Sequence, residues 1–187
     1  MSDLWIDVKI PYEPNNRLAD AYNRAMESTS AEWVLFLDHD LFICNPHWYE
    51  MCLNTIKQLE GKRVGWITAR CNRIACPVQK YTLDERSNDI IRHIEIAKEL
   101  YKKEGNRIIQ YTEDYPLGGF FILTNKAAWS AVGGFKDVGI GIFSVDNKYD
   151  EDLRKKDFGL FLMMGLYFYH LRGNLNPQQK IEALRGF

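Results

Sequence analysis

Five consecutive apolar residues, Trp33-Val34-Leu35-Phe36-Leu37, run straight into Asp38-His39-Asp40. The run has strand length and no polar alternation, so it reads as a strand buried on both faces. A chain that must cover both faces needs helices on either side, an α/β layering. The strand also delivers two carboxylates, at i and i+2, to its carboxyl end, where sheets of this class bind ligands. Unpaired acids beside a core are expensive. A divalent cation would compensate them; oxygen ligands suit magnesium or manganese, which in turn hold the phosphates of a nucleotide diphosphate. The same acids also suit an Asp turn that caps the loop before Asn45-Pro46, and spacing alone leaves both readings open.

The rest of the chain supports the layering. Residues 7–12 predict a short strand ending in a Pro-Tyr turn, and a loop over 13–16 offers Asn15 or Asn16 as a helix cap. Leu18, Ala21, Tyr22 and Ala25 form an amphipathic stripe, predicting a helix over 17–27. Asn45-Pro46 starts a second helix with Pro at its first position, Trp48, Cys52, Ile56 and Leu59 facing inward and Gly61 ending it. Further on, strands are expected over 64–69, 108–111 and 119–123, and helices over 84–103, 125–132 and 149–156. Gly133-Gly134 closes the second of these helices, and a loop reaches to about residue 146. Two short strands, 160–163 and 166–169, precede a tail over 173–187. Strands alternating with helices predict a single domain over 1–187 with a mostly parallel central sheet.

Composition narrows the partners. The 187 residues are 46% hydrophobic, enough for a packed core and against disorder. A net charge of -1 gives no electrostatic footprint for nucleic acid or an anionic membrane. The longest apolar stretch, 158–169, falls short of the about 20 residues a membrane helix needs. Residues 1–10 carry no signal-peptide pattern. Cys44, Cys52, Cys71 and Cys76 form no CxxC pair, and no second pair follows at zinc spacing, so they read as buried free thiols of a reducing compartment. A soluble, cytoplasmic protein is expected.

Several blocks, in order, resemble family-2 glycosyltransferases with the GT-A (nucleotide-diphospho-sugar transferase), Rossmann-like fold. Residues 17–26 and then 33–40 are similar to that family's helix, strand and DxD motif. Gly118-Gly119-Phe120-Phe121-Ile122-Leu123, a helix containing Trp129, and Val132-Gly133-Gly134-Phe135 resemble its donor-site strand and the helix that follows. Val145-Asp146-Asn147 and the later Leu166-Tyr167-Phe168-Tyr169-His170 resemble its catalytic acid and closing histidine.

The resemblance implies a division of roles. Asp40 is the first-choice metal ligand, Asp38 contacts the ribose or the metal's water shell, and His170 is the third ligand. Imidazole beside carboxylates favours Mn2+, with Mg2+ the alternative. Asp146 would deprotonate an acceptor hydroxyl in an inverting transfer from a nucleotide sugar, UDP-sugar by the same resemblance. Pro11 and Tyr12 would meet the uracil, Arg17 a phosphate or the base, and Asn23 would line the same pocket. His39 takes a supporting role. Gly118 and Gly119 would admit the donor sugar close to the backbone. Arg70 and Arg73 face the diphosphate or the acceptor; Trp66 and Trp129 read as core. Asp150, Glu151 and Asp152, mixed with lysines and an arginine, read as a solvated face.

The pattern departs from the family in one place. Tyr12 is followed almost at once by Arg17, so the βαβ stretch that carries the family's uracil-reading acid is missing and the fold is a shortened version. The acceptor region after His170 is short as well. Two other functions share parts of the pattern. A haloacid-dehalogenase-type phosphatase also places Asp-x-Asp after an apolar strand, with the first Asp as nucleophile. A non-catalytic sugar-nucleotide binding module would need the same pocket without the base.

Overall fold

A computed structural model of the chain describes residues 4–15, 17–81, 87–137 and 143–171. The Asn16 cap, the start of the helix expected from 84, and the tail over 173–187 lie outside the described residues. In chain order the elements are β1 (Ile6–Lys9), α1 (Leu18–Ser28), β2 (Trp33–Leu37), β3 (Leu41–Ile43), α2 (Trp48–Gln58), β4 (Val64–Cys71), α3 (Ile90–Glu104), β5 (Ile108–Tyr111), β6 (Phe121–Asn125), α4 (Lys126–Val132), α5 (Phe143–Lys155) and β7 (Gly159–His170).

The strands form one sheet in the order β1-β2-β6-β4-β7-β3, with β5 also paired to β7. The sheet is mixed, not mostly parallel. Among the described strands β1 with β2 and β4 with β7 run parallel, whereas β6 lies antiparallel between β2 and β4, and β3 and β5 lie antiparallel to β7. Apolar runs report burial and length; the direction of a strand is set by the path of its connections, which periodicity does not encode. Both faces of the sheet are covered. One core joins Leu35, Leu37, Ile67 and Leu123 to Met51, Cys52 and Ile56 of α2. The other joins Val34, Phe36 and Trp66 to Tyr22 and Met26 of α1 and to residues of α4 and α5.

Three local differences from expectation matter for the site. Residues 159–170 form one strand of 12 residues rather than two. Gly165 does not break it: a Cβ there would lie 2.1 Å from the Gly105 carbonyl oxygen, so the glycine permits close passage, and the ladder to β4 shifts register beside it. α5 begins at Phe143, not 149, which places Asp146 in its first turn. α2 begins at Trp48, two residues beyond Pro46, while the Asn45 side chain accepts from the His47 N–H at 2.9 Å. α4 starts as expected: the Asn125 carboxamide oxygen accepts from Ala128 N–H at 2.9 Å, and Gly133 closes the helix at φ 76°.

Candidate functional site

The Asp38-His39-Asp40 turn is gripped at both ends. Asp38 N–H donates to the Phe120 carbonyl at 3.0 Å, and the Asp40 carbonyl accepts from Leu171 N–H at 3.1 Å. Between them the chain reverses into β3, which pairs with the end of β7 so that Leu41 lies opposite His170. β3 has only three residues and gives no sequence signal, yet its pairing is what carries His170 to the acids.

His170 Nε2 stands 3.2 Å from Asp40 Oδ1 and 3.7 Å from Asp38 Oδ2. Ligand atoms of the three residues all lie within 4.8 Å of one another. The ring is fixed from behind: Nδ1 is 3.0 Å from the Arg73 carbonyl, the backbone N–H donates to Asn72 Oδ1 at 2.7 Å, and Phe120 stacks on it. A carbonyl can only accept, so Nδ1 carries a proton, and Nε2 faces the carboxylates. Nε2 is buried and makes no hydrogen bond of sound geometry. Two carboxylates facing one ring nitrogen call for a positive charge between them, and two carboxylates with one imidazole are a donor set for a hard or borderline divalent ion. Burial would raise the Asp40 carboxyl, but the adjoining His170 ring outweighs it and holds Asp40 below the ordinary carboxylate range.

Asp146 faces Asp38 across a cleft of about 180 Å³, lined also by Tyr22, Ile74, Leu117, Gly118 and Gly119. Its Oδ2 accepts from Gly119 N–H at 2.8 Å and its Oδ1 from Asn147 N–H at 3.0 Å. Burial, with the Asp38 charge adding to it, pushes the Asp146 carboxyl up to about 6 against the hydrogen bonds that lower it. The loop before β6 is held by three side chains in succession. Asp150 Oδ2 accepts from Leu117 N–H at 3.0 Å, Gln79 Oε1 from Gly118 N–H at 2.7 Å, and Asp146 from Gly119.

Residues 2–130 match the family model described as Glycosyl transferase family 2. This chain belongs to glycosyl transferase family 2. No curated protein matches the sequence. Membership carries the GT-A fold, a glycosyltransferase activity, a nucleotide-sugar donor and an acceptor. It sets the Asp38-His39-Asp40 turn in a transferase rather than a phosphatase frame. The matched region holds that turn and Gly118-Gly119 but ends before Asp146 and His170, which join the site through the tertiary fold. Among the described residues no helix is long and apolar enough to cross a membrane.

Against this family frame the remaining candidate residues divide. Tyr12 is 80% exposed and lines no part of the cleft, nor does Pro11. Arg17 pairs with Asp20 at 2.7 Å on the surface. His39 is exposed at the tip of the turn. Asn23 is turned away from the cleft: its Oδ1 accepts from Trp129 Nε1 and Phe135 N–H, both at 2.9 Å, and its Nδ2 donates to the Phe135 carbonyl at 2.9 Å. It ties α1 to the end of α4. Gly118 and Gly119 line the cleft, but what approaches them is protein: a Cβ would meet Ile74 Cδ1 at 2.4 Å and Asp146 Cβ at 2.7 Å respectively.

Arg73 donates to the Leu171 carbonyl at 3.1 Å, bracketing His170. Arg70 contacts Met164 Sδ and the Tyr81 ring. Trp66 is core, and Trp129 is partly buried against it. Asp150 is not solvated: it is 2% exposed and paired with Arg154. Glu151 stays on the surface with Lys148 and Lys155, while Asp152 is half-buried between Lys136 and Lys148. All four cysteines are free and buried. Sequence reasoning missed Asn72, Gln79 and the cleft-facing role of Tyr22. Only the last left a trace, as a large residue on the apolar stripe of α1.

Proposed function

We propose that the protein is a metal-dependent transferase that moves a hexosyl group from a UDP-sugar to an acceptor hydroxyl with inversion. The observation that carries this reading is the buried His170 Nε2, turned by the Arg73 carbonyl toward Asp38 and Asp40 with no hydrogen bond of its own. Asp40 and His170 would hold Mn2+ or Mg2+, with Asp38 as third ligand or bound through water to the ribose side. The ion supplies Lewis-acid neutralisation of charge on the departing diphosphate. Among the described residues the cleft lining includes no lysine, arginine or histidine to offer that charge.

Asp146 is the base. At neutral pH a carboxyl at about 6 is ionised yet basic enough to take a proton. It accepts the proton of the acceptor hydroxyl as that oxygen bonds to the anomeric carbon. The bond from that carbon to the diphosphate oxygen breaks on the opposite face, which inverts the centre. The Gly119 N–H holds the carboxylate in place. Four buried free thiols suit a reducing compartment such as the cytoplasm.

The test is a screen of nucleotide sugars for UDP or GDP release, with and without manganese and with simple alcohols and saccharides as acceptors. Manganese-dependent release lost in Asp146→Asn is the expected result. Binding without turnover would make this a sugar-nucleotide binding module. Turnover of p-nitrophenyl phosphate with magnesium, abolished by Asp38→Asn, would replace the reading with the phosphatase one.

A further inference from the structure

The contacts that aim His170 come from one dipeptide at the end of β4. The ladder between β4 and β7 ends with Cys71 opposite Phe168. In the next two residues side chains take over from the ladder. Asn72 Oδ1 accepts from His170 N–H at 2.7 Å, and the Arg73 carbonyl stands 3.0 Å from ring Nδ1. Arg73 Nη1 then donates to the Leu171 carbonyl at 3.1 Å. The backbone on either side of His170 and the ring itself are all held from the same place.

The Arg73 guanidinium has a second hold. Its Nη2 donates to Asn88 Oδ1 at 3.2 Å, and that oxygen also accepts from the Tyr169 hydroxyl at 3.0 Å. Asn88 adjoins Asp89, whose carboxylate caps α3 by accepting from Ile91 N–H at 2.9 Å. In the first turn of α3, His93 is fully buried; it stacks on Tyr169 at 4.0 Å between centroids and lies 2.7 Å from the Tyr167 hydroxyl. Tyr167, Tyr169 and Leu171 pack with α3 on one face of the strand end. Side chains alternate along a strand, so His170 points the other way, toward the acids.

This place requires a fork. Two acceptors on separate segments are held by one side chain, and a guanidinium presents paired donors in one plane where an ammonium is a point charge. A ring fixed before an ion arrives need not be ordered by it. The supports of a metal-ligating histidine are worth about ten- to a hundredfold in metal affinity.

Resting on the metal-dependent reading above, we propose that Arg73 is a positioning residue of the metal site: it sets His170 through its own carbonyl and through Leu171, and it anchors that setting on Asn88 at the head of α3. Its task is to hold the ligand rather than to meet the diphosphate.

The probe is Mn2+ alone, titrated calorimetrically into the metal-free chain, with melts in EDTA to read the fold separately. Arg73→Met should weaken Mn2+ by about tenfold or more, and Arg73→Lys should recover only a small part of the loss. Asn88→Ala, at an exposed position outside the three ligands, should weaken Mn2+ about threefold. Spin-echo spectra of Mn2+ bound to the parent should show coupling to one imidazole nitrogen. Arg73→Met at saturating Mn2+ should lose that coupling while the carboxylates still hold the ion. Parental affinity and coupling in Arg73→Met and Asn88→Ala overturn the proposal. So does a loss of affinity that only follows a fall in the metal-free melt with the nitrogen coupling kept, the mark of a merely structural residue. If Arg73→Met does not fold, Asn88→Ala decides: a threefold loss supports the anchor and parental affinity overturns it. A parent that binds neither Mn2+ nor its UDP complex sinks the metal-dependent reading and this proposal with it.

Discussion

Asp146 reaches across 27 positions of the chain to accept a hydrogen bond from the Gly119 backbone at 2.8 Å. The bond holds the carboxylate in the cleft opposite Asp38, and it exists because Gly119 has no side chain. A Cβ at that position would fall 2.7 Å from Asp146 Cβ.

Gly119→Ala is therefore expected to displace the base. Activity should fall by about a hundredfold, the scale on which a misplacement of about an ångström acts. Manganese-dependent UDP binding should persist. The check is a comparison of kcat with the affinity for UDP; an alanine variant with parental kcat would mean that Asp146 is not positioned by this contact.

The raised Asp146 carboxyl has a sign that can be tested twice. In the reaction, kcat/KM should fall as pH drops through about 6, and Asp146→Asn should remove the activity and that limb together. In stability the effect runs the other way. Folding favours the protonated form, so this group's contribution is full below about 3.8 and is lost as pH rises through about 6. Asp146→Asn should then be more stable than the parent at pH 7.5, by on the order of 2–3 kcal/mol. Thermal melts of both proteins at pH 4 and pH 7.5 would show the gap opening with pH; a gap that is equal at both would contradict the assignment.

Removing a ligand should separate metal binding from folding. Asp40→Ala and His170→Ala are each expected to weaken manganese-dependent UDP binding by tenfold or more, roughly the cost of losing one donor and its support. Added manganese should raise the melting temperature of the parent and not of either variant. Parental manganese and UDP affinity in both variants would dismiss the site.

Asp150 and Glu151 are neighbours on α5 with opposite prospects. Asp150→Ala leaves the buried Leu117 N–H and Arg154 without a partner, and a loss of about 3 kcal/mol is expected. Glu151→Ala removes only exposed pairs and should stay within about 0.5 kcal/mol. Denaturant melts compare the two directly; equal losses would refute the difference in burial.

The apolar run into Asp38-His39-Asp40 was legible because burial on both faces and a carboxyl-end acid pair are local properties, written in consecutive residues. So were α1, α4 and the buried strands, through periodicity and caps. Strand direction was not, since β6 lies antiparallel between β2 and β4 by virtue of its connections rather than its residues. The burial of Asp150 was misread, and the partners of Asn23 were not foreseen, because a side chain's partner can lie on another element. Asn23 and Asp150 resemble solvent-facing polar residues until Phe135 and Leu117 are packed against them. By itself the sequence determined an α/β domain with two acids at the end of a buried strand. Only the tertiary structure decided what those acids meet. The three-residue pairing of β3 with β7, too short to leave a signal, turns Nε2 of His170 toward them. The early start of α5 sets Asp146 across the cleft.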